Sequence, residues 1–497
     1  MNGRVLHNPL NGRFTTMGIH AGRPRGIRPH RSYDVAKSQE DSNYWSSTEY
    51  NQNNAWNMNF GSGNINNNNN KYNSNVARAV AAYGELFAPF YDTVVEAYRD
   101  CLRGKMSSTQ ALQYMEIADG DLIRLAAELW TGTYKPGTST CFLVKYPKLR
   151  EVFAASFRDR IVHHWVCLRL EPLFEHRFIE QGNVSFNCRK GYGTEKAVRH
   201  IAEGMRRVSD NYKKKAWIFR GDLVGFFMSI DKDLLWSYLR KFILRWRNKY
   251  GNAGRVCNAI YRDDAMYWDI LLETTEAIVK HHPENDCVLN SPAEHWAGLA
   301  PNKSLFTSVT GEPIGNLTTQ LFANFLMSYF VSYVKWLYRG MNYEIAQFVD
   351  DFVIVCDDER FIIESIPKLE AFLRDKLHLT LHKDKRYLQP VSHGTLFVGS
   401  YIKPGRLYLS NRTRARFEER CEGFRRMMEE KGELNILDCK RMEQVINSYL
   451  GFCKGRQTYN IRRSCIVGMG ELFWKHFYVK GRYESIRTRH RYRCVEI

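Results

Sequence analysis

Apolar residues recur at helical spacing at Leu86, Phe87, Phe90, Val94, Val95 and Tyr98, and again at Ala111, Leu112, Tyr114 and from Leu122 to Leu129. Two amphipathic helices are predicted there, because residues three and four apart share one face of a 3.6-residue turn. From about Phe142 to Tyr401 the pattern changes. Short apolar runs at 216–219, 348–356 and 395–401 alternate with longer helical stretches, which predicts an α+β core. After about Arg406 the chain reads as mostly helical. Before the first helix, residues 1–43 carry no sustained periodicity and read as a disordered or weakly ordered basic leader. Between Asn51 and Asn75 roughly every second residue is Asn, a bias that regular packed elements disfavour, so this stretch reads as loop.

At 497 residues the chain is long enough for several domains or subdomains sharing a cleft. Its 72 Lys and Arg against 53 Asp and Glu leave a formal net charge of +19. A polyanionic partner is the first expectation, since each neutralised phosphate releases a condensed counterion; a merely soluble basic surface is the bland alternative. The Arg clusters at 412–426 and 482–493 support either a nucleic-acid contact or a solvated helix face. The 12 cysteines form no C-x-x-C pair, so a zinc ribbon or redox dithiol is not suggested. No apolar run approaches the roughly 20 residues of a membrane span, and no signal-peptide core is visible. A cytoplasmic protein with no membrane partner is expected.

Two acidic sites interrupt apolar runs. In EIAQFVDDFVIVCDD, Asp350 and Asp351 separate two strand-like stretches, implying buried strands joined by a tight acidic turn. Carboxylates there are costly unless hydrated or paired with cations, although an ordinary Asp-rich hairpin turn is also compatible. In AWIFRGDLVGFFMSID, Asp222 ends an apolar stretch and precedes Phe226 and Phe227. Phosphoryl transfer from a nucleoside triphosphate needs two hard cations roughly 4 Å apart, and carboxylates from two strands are the natural bridge for Mg²⁺.

Asp222 with its trailing FF, GEPIGNLTTQLFANF at 311–325 and FVDD at 348–351 resemble, in order and spacing, the palm motifs of reverse transcriptases. YPKLREVFAASFRDRIVHH and SFNCRKGYGT resemble the fingers motifs upstream, and LTLHKDKRY and LFVGSYI those that close the palm. The match covers about Phe142 to Lys403, roughly half the chain. The resemblance implies that Asp222 and Asp350 bridge two Mg²⁺ ions, that the Leu223 carbonyl is a further ligand, and that Asp351 is the second aspartate of its motif. It implies that Phe227 is a steric gate against ribonucleotides, core packing being the alternative. Lys148 and Arg150 match residues that clasp the triphosphate. Ile314 and Gln320 fall among the nucleotide-binding positions. Lys385 is a candidate proton donor to pyrophosphate, with Lys383 and Arg386 competing for the role.

Within this class the chain most resembles the reverse transcriptases of diversity-generating retroelements, whose form IGNLTSQ is close to IGNLTTQ here. The Asn-rich text YWSSTEYNQNNAWNMNFGSGNINNNNNKYNSNVARAV also looks like the variable end of that system's target protein. Asn codons carry two adenines and yield no stop when these are randomised, so the stretch reads as a template repeat overlapping the gene's start. A disordered polar leader and a fused lectin-like domain are the other readings. Group II intron and retron enzymes are the nearest alternatives, and a catalytically silent RNA-binding protein on a polymerase scaffold is another.

The expected architecture is an α+β right-hand polymerase. It has a leader at 1–79, N-terminal helices and fingers at 80–215, a ferredoxin-like palm at 216–405 with a helical insertion at about 236–300, and a helical basic thumb at 406–497. The resemblance implies template RNA, primer, cDNA and deoxynucleoside triphosphates as substrates, and a small basic accessory protein as partner.

Overall fold

A computed structural model of the chain describes residues 43–49, 55–59, 65–66, 78–145, 148–250, 265–300 and 303–489. The basic leader before residue 43 and the Asn run from 67 to 70 lie outside the described residues. Three short strands come first: β1 (Asn43–Glu49), β2 (Ala55–Asn59) and β3 (Ile65–Asn66), antiparallel in that order. Pairing of Trp45 with Asn57 and of Met58 with Ile65 departs from the loop expected over 51–75. Ala55–Asn59 alternates Trp56 and Met58 with Asn57 and Asn59, the period of a strand, and this alternation outweighs the Asn bias.

The two expected helices follow as α1 (Arg78–Leu102) and α2 (Thr109–Thr131). The Ser108 hydroxyl accepts from the Ala111 N–H to start α2, a cap that satisfies an otherwise orphan donor. Phe87 and Phe90 of α1 meet Trp130 edge-on at 5.6 and 5.3 Å. Next come β4 (Ser139–Val144), β5 (Arg150–Ala154), α3 (Phe157–Glu180), α4 (Thr194–Val208) and β6 (Trp217–Gly221). They are followed by α5 (Phe226–Ser229), α6 (Lys232–Tyr250), α7 (Ala265–Val279), β7 (Cys287–Leu289), α8 (Ala293–Trp296) and α9 (Leu317–Leu337). The helical insertion expected at about 236–300 thus also supplies β7, which pairs parallel to β4 at the edge of the sheet β5-β4-β7.

The chain divides into two compact units, Met1–Arg177 with Gly225–Leu326 and Phe178–Val224 with Met327–Ile497. In the second, β8 (Tyr343–Phe348), β9 (Asp351–Cys356), α10 (Glu359–Leu377) and β10 (Tyr387–Pro390) join β6. Their four-stranded sheet is antiparallel throughout in the order β10-β6-β9-β8. Ile201 and Met205 of α4 pack with Ile218, Val353 and Val355 in one core. Alternate residues carry a second core, where Phe352 meets Phe219 at 5.9 Å and Phe330 of α9 at 4.8 Å. Both sheet faces are therefore buried, which explains why FVIVC reads as a continuous apolar run.

The run at 395–401 is two strands rather than one. β11 (Thr395–Phe397) turns through Val398 and Gly399 into β12 (Ser400–Lys403), and β13 (Arg406–Leu409) completes the sheet. Both turn residues have positive φ, the geometry of a tight hairpin. Helices α11 (Asn411–Lys431), α12 (Ile436–Cys453), α13 (Tyr459–Val467) and α14 (Glu471–His476) then enclose Phe417, Met442, Ile446 and Phe473. The helical expectation for this end missed a closing hairpin, β14 (Phe477–Lys480) and β15 (Ser485–Thr488). Asn447 holds it from α12, donating to the Ile486 carbonyl at 2.9 Å and accepting its N–H at 2.8 Å. No helix among the described residues is long and apolar enough to cross a membrane.

Candidate active site

β6 delivers Asp222 to the end of the antiparallel sheet. Gly221 pairs with Phe352 of β9, so the next step of the same register sets Asp222 across from Asp351. Gly221 permits that approach, since a Cβ there would lie 2.5 Å from the Phe352 ring and 2.9 Å from Leu381. Beyond it the backbone is pinned on both sides. The His382 N–H donates to the Asp222 carbonyl at 2.8 Å, and the Val224 N–H to the Thr380 carbonyl at 2.9 Å. Leu223 and Leu381 form the bridge between these bonds, and in such a pair each residue's own carbonyl points away from the partner strand. The Leu223 carbonyl is therefore turned away from Leu381.

Asp350 and Asp351 sit on the β8–β9 hairpin. Phe348 pairs with Asp351, leaving Val349 and Asp350 as a two-residue turn. Val349 has a φ of +58°, a conformation that β-branched side chains rarely adopt. A neighbouring side chain holds it there: buried Gln347 donates from Nε2 to the Val349 carbonyl at 2.7 Å. Gln347 is itself strapped to residues 184–186, its N–H donating to Val184 at 2.8 Å and its carbonyl accepting from Phe186 at 3.0 Å. Gln347 is not evident from the sequence as a site residue, although one amide inside the apolar run IAQFV is a signal for it.

Burial pushes the Asp351 carboxyl up to about 7, with Asp350 and Asp222 adding repulsion. Asp350 is pushed up to about 6, again by burial first and then by Asp222, with which it shares a side-chain hydrogen bond. Two cations oppose this. The Lys385 ammonium contacts Asp222 Oδ2, and Arg220 faces Asp351 electrostatically. Arg220 is fixed over the Tyr387 ring at 4.3 Å and donates to the Leu396 carbonyl at 2.8 Å. Among the three basic residues in competition, Lys385 is the one on Asp222, whereas Arg386 pairs with Glu370. The carboxyls of Asp222, Asp350 and Asp351 and the Leu223 carbonyl are all oxygen donors, the type suited to a hard cation. Among the described residues no group of three or more His, Cys, Asp or Glu side chains is already gathered as a metal cage.

The remaining expected residues belong to the other unit. Phe227 of α5 and Ile314 both pack on the cluster of Cys141, Phe153, Met228 and Leu305. Main-chain bonds tie them to one frame: the Glu312 N–H donates to Phe227 and the Phe153 N–H to Ile314, both at 2.8 Å. Gly315 is required beside β5, because a Cβ there would lie 2.5 Å from the Phe153 carbonyl oxygen. Arg150 opens β5 and is exposed, as is Lys148 before it. Gln320 is exposed on α9.

Glu312 was not singled out from the sequence. Its side chain is buried with Oε1 unpartnered, and burial pushes its carboxyl up to about 8 against the opposing pull of Lys232 and Thr319. Lys232 is itself buried and donates to the His281 carbonyl at 2.6 Å.

No family model matches the chain. Among curated proteins it is similar to Protein YkfC of Escherichia coli (strain K12), 22% identical over 310 residues that cover 55% of this chain and 69% of that protein. Among solved structures it is similar to telomerase from Candida albicans in complex with a TWJ fragment of telomeric RNA. That match has a TM-score of 0.40 and 11% identity, over 69% of this chain and 66% of the other. A further similarity is to apo telomerase from Candida tropicalis truncated from its C-terminal domain, with a TM-score of 0.39 and 12% identity over 55% of each chain. The matched part thus spans 55% to 66% of these two telomerase chains.

Proposed function

We propose that the chain is an RNA-directed DNA polymerase whose palm is the four-stranded sheet of the second unit. The observation that carries this reading is the register that sets Asp222 across from Asp351, beside the turn bearing Asp350. With the segment Gly225–Leu326 assigned to the first unit, the remaining order β6, end of α9, β8, β9, α10, β10 is the β-α-β-β-α-β of a ferredoxin-like unit, which supports the palm reading. In it, Asp222, Asp350 and the Leu223 carbonyl would hold two Mg²⁺ ions, whose chemistry when bound would be to activate the primer hydroxyl and steady the leaving pyrophosphate. Asp351 stands at the primer end of the site. Lys385, already beside Asp222, carries the proton for the pyrophosphate. Phe227 gates the sugar, while Ile314, Gln320, Lys148 and Arg150 contact the nucleotide.

The finer reading is a diversity-generating retroelement enzyme that copies template RNA with errors at adenines, assisted by a small basic protein. IGNLTTQ and the Asn-coding text support it. Sequencing the adjacent DNA tests it, since a near-copy of the Asn-coding stretch differing mainly at adenines is expected there.

A catalytically silent RNA-binding protein is the second reading. The Lys385 contact favours it, because an ammonium neutralises Asp222 without a metal. Primer extension on an RNA template with Mg²⁺ separates the two. Synthesis by the unaltered chain that is abolished in Asp222→Asn and Asp350→Asn, with RNA affinity retained, supports the polymerase; equal synthesis by either variant refutes the site.

A further inference from the structure

Three rings stack across α9 and α10 at the protein surface. Tyr333 lies on Phe372 with centroids 4.2 Å apart and planes inclined by 8°, and Trp336, one turn along α9, stacks on Tyr333 at 5.6 Å and 26°. Trp336 is 61% exposed. An indole left this open forgoes a large apolar burial, so its standing at the end of an ordered stack calls for a partner. The charges around it indicate which kind.

Arg339 follows one turn after Trp336, its N–H donating to the Trp336 carbonyl at 3.3 Å. Lys368 precedes Phe372 by four residues on α10, which places it on the same helix face. Three acids of α10 are already paired, Glu364 with Arg360 at 3.0 Å, Asp375 with Arg374 at 2.7 Å and Glu370 with Arg386, while Glu359 stands at the helix start, nine residues before Lys368. Among the described residues no carboxylate pairs with Arg339 or Lys368. A flat ring stack between uncompensated cations matches the chemistry of an unpaired nucleic-acid strand, where bases continue the stack and phosphates meet the cations. A protein partner could extend the stack with rings of its own but would also have to bring a carboxylate to each cation, whereas every nucleotide carries both a ring and a phosphate.

We infer that Trp336, Tyr333 and Phe372, flanked by Arg339 and Lys368, bind single-stranded RNA at a surface separate from the Asp222 carboxylate group. The site needs no polymerase activity, so its test is independent of the catalytic reading. A 12-nucleotide oligouridine carrying 5-iodouridine is irradiated with the full chain, and the adducts are mapped by mass spectrometry over a titration of RNA. An adduct at Trp336 or Tyr333 is expected. Trp336→Phe should keep an adduct in this stretch. In Trp336→Ser the half-saturating RNA concentration of any remaining Tyr333 adduct should rise roughly tenfold, as removal of one stacked base predicts. Replacing both Arg339 and Lys368 by Ala should weaken that adduct and flatten its salt dependence. Two results overturn the inference. One is the absence of adducts on 333–339 and on Phe372 when RNA saturates the rest of the chain. The other is a chain that sediments as a dimer, is split to monomers by Trp336→Ser, and gives no adduct there.

Discussion

On the proposed function, Ile314 takes the position at which the resemblance implies a Gln that hydrogen-bonds near the nucleotide's sugar, and it can offer only shape and dispersion there. A missing hydrogen bond is worth about 0.5–1.5 kcal/mol, and about 1.4 kcal/mol is tenfold in discrimination. Ile314→Gln is therefore expected to keep polymerisation while lowering misincorporation opposite template adenine more than opposite the other bases. Sequencing cDNA from both enzymes on one template decides it, and an unchanged adenine error rate removes the proposed role. Glu312 gives a prediction that needs no substrate. Its carboxyl is protonated in the folded chain up to about pH 8 but ionises near 4.5 once unfolded. The folded state thus holds the extra proton between these values, and this group's contribution to stability falls as pH rises through the window, then levels. Glu312→Gln should make the melting temperature less sensitive to pH between about 5 and 8. An unaltered pH slope would show that Glu312 is ionised in place.

At the scale of elements, the hairpin that carries Asp350 stores strain at Val349. A non-glycine residue held in that region costs about 1–3 kcal/mol, and glycine returns roughly 1 kcal/mol of that through unfolded-state entropy. Val349→Gly should leave thermal stability equal or higher, yet slow primer extension, because the turn then samples more conformations; unchanged kinetics would mean that Gln347 and its strap alone fix the turn. Gly315→Ala is expected to lower the melting temperature, since β5 leaves no room for a methyl group, and an unchanged melt would contradict the observed approach. What the sequence made legible follows the same scale. The helices at 78–131 were readable because Phe90, Val94 and Tyr98 keep one period. The strands around Asp350 were readable because VDDFVIVC has acids at one point only. β7 and the β14–β15 hairpin were not, since three or four residues carry too little period to stand out from a helical background. Gln347 and Glu312 escaped notice because their importance lies in burial, which a polar letter in a sequence does not advertise.

For the whole molecule, the net charge of +19 sets an expectation about affinity rather than chemistry. RNA binding should weaken steeply with salt, the logarithmic slope growing by roughly 0.7 for each single-strand phosphate that the protein neutralises. Arg412→Ala with Arg420→Ala should lower that slope if the helix α11 binds RNA, and leave it unaltered if the cluster is only a solvated face. A chain beginning at Val76 tests the start of the molecule. Retention of fold and synthesis is expected if the Asn-coding text serves the nucleic acid alone, while an unfolded product would assign β1–β3 a structural duty.

The interleaving of the two units has a consequence for how the protein is made. β6 leaves the ribosome with Gly221, but its neighbour β9 ends only at Cys356. At about 5–20 residues per second, β6 waits between roughly 7 and 27 s for its partner. During that time the first unit acquires its last segment, which ends at Leu326, while Ile218 and Phe219 remain without the sheet that later buries them. Birth order therefore favours completion of the Phe227 and Ile314 frame before the aspartates are assembled. A slow codon run between these two points would lengthen the interval in which the nascent chain depends on chaperones.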